Sequence, residues 1–167
     1  MANRPRTSLV SEQAVEHTIH ALRRSTSPVT TTEADIRALL DVETIAVIGC
    51  SATPGKAAHD VPAYLQRQGY DVVPVNPYHD EVLGRPAADS LADVSEAVDL
   101  VNVFRPSEEV SGIVDATIER VQRRDDVQGV WLQSGIRDDA AAARARDAGL
   151  TVVQDRCLKV EYGRLLA

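Results

Sequence analysis

The chain has 167 residues, 44% of them hydrophobic and 26% charged, enough to bury one complete core without disulfides or metals. A formal net charge of -7 argues against nucleic acid as a partner, because that affinity rests on lysine and arginine meeting phosphates. Aromatic residues at 4% leave no stacking platform for single strands and assign the core to Val, Ile, Leu and Ala.

Residues 1–8 are polar, contain Pro5 and read as a disordered start. Residues 11–24 predict a short amphipathic helix, with Ser11 as cap and Val15, Ile19 and Leu22 on one face. A breaker-rich linker covers 25–32, and a second helix spans about 33–41 through Ile36, Leu39 and Leu40. The first ten residues hold no apolar core of a signal peptide, and no run approaches 18 apolar residues. A cytoplasmic protein with no membrane span is therefore expected. Cys50 and Cys157 make neither a disulfide framework nor a zinc site.

From residue 44 the pattern alternates between strands and helices. The run TIAVIGC (44–50) is apolar throughout and ends at a glycine turn, as a buried parallel strand should. A helix is expected over 60–68, with Asp60 as N-cap, Pro62 in the first turn and Gly69 as the stop. YDVVPVNP (70–77) is the second strand and LVNVF (100–104) the third. A long helix follows at about 107–124, striped by Val110, Ile113, Val114, Ile118 and Val121. GVWLQSG (129–135) is the fourth strand, 138–148 an Ala-rich helix closed by Gly149, LTVVQD (150–155) the fifth strand, and a last helix begins near 158. This alternation gives an α/β fold: a Rossmann-like parallel sheet of about five main strands with helices on both faces. Residues 1–31 are then an N-terminal extension and 32–167 the domain.

Sheets of this kind bind ligands beyond the carboxyl ends of their strands, at the topological switch point. The loop Gly49-Cys50-Ser51-Ala52-Thr53-Pro54-Gly55-Lys56 lies there, between strand one and a helix. Backbone N–H groups, the helix N-terminus, two hydroxyls and one of only two lysines in the chain suit a phosphate. The loop is not a P-loop: five residues separate its glycines and Ala57 follows Lys56, so magnesium–nucleotide hydrolysis is not expected. It also departs from the dinucleotide fingerprint, with Ser51 at the second glycine, Asn76-Pro77 closing strand two and Asp71 at that strand's opposite end.

Asn76 and Pro77 either end the strand or shape an adenine pocket, and Tyr78 and His79 follow them. Phe104-Arg105-Pro106 ends strand three, where Arg105 either reaches a phosphate or pairs with Glu108 or Glu109. Gln133-Ser134-Gly135 ends strand four in a small loop. Cys50 and Cys157 read as buried fillers, the alternative being thiols activated by a helix N-terminus. No nucleophile elbow, Ser–His–Asp set or metal constellation is present in the sequence, and no complete catalytic centre is expected.

The segments TIAVIGCSATPGK, YLQRQGYDVVPVNP, VDLVNVFRPSEEV, VWLQSGI and VVQDRCLKVEY, in that order, resemble the small CoA-binding domain proteins of bacteria and archaea. These are similar to the N-terminal CoA-binding domain of the succinyl-CoA ligase alpha subunit. The resemblance runs from about Thr32 to Leu166 and implies coenzyme A, or an acyl-CoA, held across the strand ends. It implies that Gly49, Cys50, Ser51, Ala52, Thr53 and Lys56 wrap the diphosphate and that Asn76, Pro77 and Tyr78 meet the adenine end. Phe104, Arg105 and Pro106 match the end of strand three, and Leu132, Gln133, Ser134 and Gly135 would meet the pantetheine arm. The basic residue expected near the adenine falls on Tyr78 or His79, a departure from the pattern. The ligase's second domain, with its phosphorylated histidine, has no counterpart in these residues, so the resemblance implies binding or regulation without ligase chemistry. A nicotinamide-dependent oxidoreductase and one half of a split acyl-CoA ligase are the alternatives. The expected partner is a small molecule, with a homo-oligomer or another protein left open.

Overall fold

The computed structural model describes residues 31–167, so the helix expected at 11–24 and most of the linker after it lie outside the described residues. Helix α1 (Glu33–Leu40) starts at a capping box: the Thr32 hydroxyl accepts from the Asp35 N–H, and the Asp35 carboxylate accepts from the Thr32 N–H, both at 3.1 Å. Strand β1 (Thr44–Ile48) leads to α2 (Ala57–Arg67) and β2 (Asp71–Val75). A hairpin of β3 (Glu81–Val82) and β4 (Arg85–Pro86) and a 3₁₀ turn at Leu91–Asp93 come next. The chain finishes with β5 (Leu100–Val103), α3 (Ser107–Arg124), β6 (Gly129–Leu132), α4 (Asp139–Asp147), β7 (Thr151–Val153) and α5 (Leu158–Leu165).

The five long strands form one sheet in the order β2-β1-β5-β6-β7, every pair parallel. This is the Rossmann-like α/β architecture that the alternating pattern predicts. Successive side chains of each strand face opposite layers. Ala46, Val101, Val103, Val130 and Val152 pack under α3 and α4, while Ile45, Val47, Leu100, Trp131 and Val153 pack under α1, α2 and α5. The chain leaves β1 for β2 on one side and returns past β1 to β5 on the other. The reversal of direction falls between β1 and β5.

Three sequence expectations are corrected. Helix α2 begins at Ala57 with Lys56 at the cap position, so Asp60 is not its N-cap. Asp60 instead lies in the first turn and accepts from the Gly55 N–H at 3.1 Å and contacts His59 Nδ1 at 2.9 Å. Pro62 is accordingly the sixth helical residue, beyond the first turn. The strands are also shorter than their apolar runs, because the chain lifts off the sheet at Gly49, Asn76, Phe104, Gln133 and Gln154 to form the upper loops. The hairpin at 81–86 escaped the sequence reading because its strands are two residues each. Its turn, Leu83 (φ 56°) and Gly84 (φ 73°), is left-handed at both central positions. The Leu83 carbonyl is held by Gln66 Nε2 at 3.1 Å.

The connection from β4 to β5 is fixed by a buried guanidinium. Arg120 of α3 donates to the carbonyls of Leu91 and Val94, both at 2.9 Å, and of Glu96 at 2.7 Å. Its counter-ion is Asp126, at 2.9 Å, and the two side chains are 3% and 10% exposed. Burial disfavours the Asp126 charge, but hydrogen bonds from Arg120 and from the Val98 N–H outweigh it and hold the carboxyl below its ordinary range.

Two outcomes are expected. Gly129→Ala would set a methyl 2.4 Å from Leu39 Cδ2 and 2.6 Å from the Thr151 carbonyl oxygen, costing about 2 kcal/mol, read as a Tm lower by roughly 4–8 °C. Asp126→Asn strands Arg120 without its counter-ion and should cost about 3 kcal/mol or more. Because the folded carboxyl titrates below its unfolded value, this stabilisation is full above about pH 4 and lost as pH falls through the lowered folded value. Acid titration of the wild-type Tm should show that loss, and the Asn variant should lack that part of it.

Candidate functional site

The carboxyl ends of β1 and β2 carry the loops that the sequence marks for chemistry. Gly49 turns the chain off β1 with φ +81°, and its N–H donates to the Val75 carbonyl at 3.0 Å. A Cβ there would lie 2.8 Å from Arg105 Cδ and 3.0 Å from the Phe104 carbonyl oxygen. Both the torsion and the close approach therefore require glycine. The loop then folds on itself. The Ser51 hydroxyl accepts from the Thr53 N–H at 3.0 Å, and the Ser51 N–H donates to the Ala58 carbonyl at 2.9 Å. Gly55, at φ +94°, gives its N–H to Asp60. Among the described residues nothing accepts from the N–H groups of Ala52, Ala57 and Ala58. The last two open α2, where unpaired donors and the helix dipole favour an anion.

Asn76 ties the second loop to the first. Its Nδ2 donates to the Cys50 carbonyl at 2.9 Å and its Oδ1 accepts from the Tyr78 N–H at 2.8 Å. Pro77 and Tyr78 therefore leave β2 at a fixed angle, and the Tyr78 ring is 87% exposed.

A cleft of about 790 Å³ opens between these loops, the 89–91 segment and the first turns of α3. Its apolar walls are Ile48, Val75, Leu91 and Ile113, and Ser51, Thr53, Lys56 and Arg105 bring donors and positive charge to it. Gly49, Ala52, Asn76, Pro77, Tyr78 and His79 also line it. Arg105 pairs with Glu109 at 2.7 Å, the second of the two alternatives that its sequence position leaves open. Glu108, Glu109 and Asp89 add carboxylates to the lining.

The other sequence-predicted residues stand elsewhere. Cys50 is fully buried on the α1/α2/α5 side of the sheet, and burial pushes its thiol up to about 12. It is a protonated filler at neutral pH rather than an activated thiol, and it serves the loop through its carbonyl. Phe104 is half-buried on the same side, and Pro106 takes the N-cap position of α3. Leu132 is a core residue under α3 and α4. Gln133 is buried, donating from Nε2 to Asn102 Oδ1 at 2.9 Å. Ser134 is exposed, and the Gly135 N–H donates to Asp155 at 2.6 Å. These last four end β6, beyond β5 and outside the cleft lining.

The sequence reading missed the far wall. Glu109, Gly112, Ile113 and Ala116 line the cleft at the spacing of one helix face. Gly112 was the available signal. A mid-helix glycine costs roughly 1 kcal/mol against alanine, and a Cβ added here would meet nothing within 4 Å. The open space beside it is the cleft. Asp89, Ser90 and Leu91 carried no signal, since their place depends on the buried Arg120 network.

Known proteins resemble this chain in sequence and fold. A Bacillus subtilis protein, YneT, is 36% identical over 131 residues, covering 78% of this chain and 93% of its own length. The structure of a Pyrococcus horikoshii protein superposes with a TM-score of 0.76 at 35% identity, over 85% of this chain and 98% of that one. An Archaeoglobus fulgidus ADP-forming acetate–CoA ligase is 28% identical over 112 residues, which make up 67% of this chain and only 16% of the ligase. The model of the CoA binding domain family matches residues 43–163, and the chain belongs to that family, a CoA-binding domain related to the CoA-binding part of the ADP-forming ligases.

Proposed function

We propose that the cleft holds coenzyme A or an acyl-CoA and that the protein acts as a non-catalytic binding or regulatory module. The observation that carries this reading is one cleft whose lining joins the first loop, with the unpaired Ala52 N–H, the Ser51 and Thr53 hydroxyls and Lys56, to an apolar pocket against α3, next to the free N–H groups that open α2. An adenosine diphosphate moiety needs both. Ala52, Ala57, Ala58, Thr53 and Lys56 would meet the diphosphate. Ile48, Val75, Leu91 and Ile113 would enclose the adenine, with the exposed Tyr78 ring free to stack on it. The pantetheine arm would pass Phe104, Arg105 and Pro106 toward the exposed Ser134 and Gly135 at the end of β6, with Leu132 and Gln133 buried beneath them. The cleft volume lies within the range of small-molecule sites, and the space left by Gly112 belongs to it.

The end of β2 supports CoA over a nicotinamide dinucleotide. It carries Asn76, whose amide is already engaged at both ends, where the dinucleotide pattern has an acid for the ribose hydroxyls. Asp71 sits at the opposite end of that strand, paired with Arg85. The state of Cys50, buried and protonated, supports binding without a covalent step.

A thermal-melt comparison of CoA, acetyl-CoA, NAD, NADP and ATP tests the reading. At about 100 times its dissociation constant, CoA should add roughly 2.7 kcal/mol and raise Tm by about 5–10 °C. A shift with NAD or NADP alone would overturn the assignment. Gly112→Leu should fill the cleft and abolish the CoA shift, while the Tm without ligand stays level or rises. Lys56→Ala should weaken CoA about tenfold, the worth of one charge-assisted contact to phosphate.

A further inference from the structure

We propose that Pro62 is a positioning residue for the ligand-binding loop: by withholding an N–H inside α2 it hands the Ala58 carbonyl to Ser51. The inference rests on the reading of residues 49–58 as the phosphate contact, and it adds the device that shapes them.

In a regular helix the carbonyl of residue 58 would accept the N–H of residue 62. Pro62 is the sixth residue of Ala57–Arg67 and has no N–H to give. Its ring also crowds the carbonyl one turn back, tilting it away from the helix. A proline at this depth is among the least favourable choices a helix can hold. The freed carbonyl is nevertheless satisfied, by the Ser51 N–H at 2.9 Å. That bond draws the loop down onto the first turn of α2, where Asp60 secures Gly55 at 3.1 Å and the Ser51 hydroxyl secures Thr53 at 3.0 Å.

Pro62 is itself buried, so its plainest role is to fill space. Valine would fill the position as well and would keep the helix regular. What only proline does is release one carbonyl, and that carbonyl's partner is the loop that lines the cleft. With Ser51, Thr53 and Gly55 satisfied internally, Ala52, Ala57 and Ala58 remain as donors for a ligand. The loop's shape is thereby set before any ligand arrives.

Pro62→Val restores the N–H at nearly constant volume, and Pro62→Ala restores it with less bulk. Amide hydrogen exchange of Ser51 in ¹⁵N-labelled full-length protein reads the bond directly, and CoA titration reads its consequence. In both variants Ser51 exchange should rise about three- to tenfold, the worth of one backbone hydrogen bond, while the sheet amides of Val47 and Val103 keep their protection. The CoA dissociation constant should rise by a similar factor. Unchanged Ser51 exchange in both variants overturns the proposal. Faster exchange with unchanged CoA affinity confines Pro62 to the loop's own fold and overturns its role in binding. If the wild-type protein binds no CoA, the assignment of the cleft fails, and the exchange comparison by itself then decides the link from Pro62 to Ser51.

Discussion

Strand β1 is bonded on both edges, to β2 on one side and β5 on the other, and is buried on both faces through Ile45, Ala46 and Val47. Parallel partners force each connection to cross over the sheet, through α2 from β1 to β2 and through the hairpin and 3₁₀ turn from β2 to β5, and the hand of the crossovers puts α2 and α3 on opposite faces. The loops above β1 and β5 must then diverge. The cleft is the opening this divergence leaves, and the loops after β1, β2 and β5 that line it are placed by the strands they leave. Gly49 marks where the constraint is tightest, since the chain turns there against Arg105 and the Phe104 carbonyl with no room for a side chain.

The chemistry of the cleft comes largely from the backbone. An acidic chain is poorly suited to hold a polyanion by net charge, and carboxylates of Asp89, Glu108 and Glu109 stand in the lining beside Lys56 and Arg105. Arg105 is moreover engaged by Glu109. For the phosphate proposed above, what remains is a set of N–H dipoles on the first loop and at the start of α2, which would attract an anion over short range without adding a full charge to the surface. Such donors serve only if their positions are held. Hydrogen bonds to Ala58, Asp60 and Ser51 hold the first loop, and the Asn76 amide links it to the second.

The wall opposite depends on a different device. Leu91 faces the cleft because Arg120, buried in α3, collects the carbonyls of Leu91, Val94 and Glu96, and Asp126 balances its charge. A segment with little secondary structure of its own is thus made as rigid as the helix that holds it. The ion pair costs desolvation, and its return is the specification of one path for the chain between β4 and β5.

The sequence by itself determined the α/β class, the number of long strands and the span of α3, because apolar runs of 4–8 residues and a helical stripe are local signals. It also marked residues 49–56, 76–79, 105–107, 133–136 and 155–157 as the segments at the strand ends, most of them punctuated by glycine or proline. Tertiary structure alone decided the rest. The start of α2 moved from Asp60 to Ala57 because Asp60 is consumed by Gly55. Pro62 found its meaning only through a carbonyl one turn away and a loop that folds back to it. Gly112 and Leu91 became cleft residues through the placement of α3 and the reach of Arg120. Such contacts join positions far apart in the chain, and no local pattern of residues encodes them.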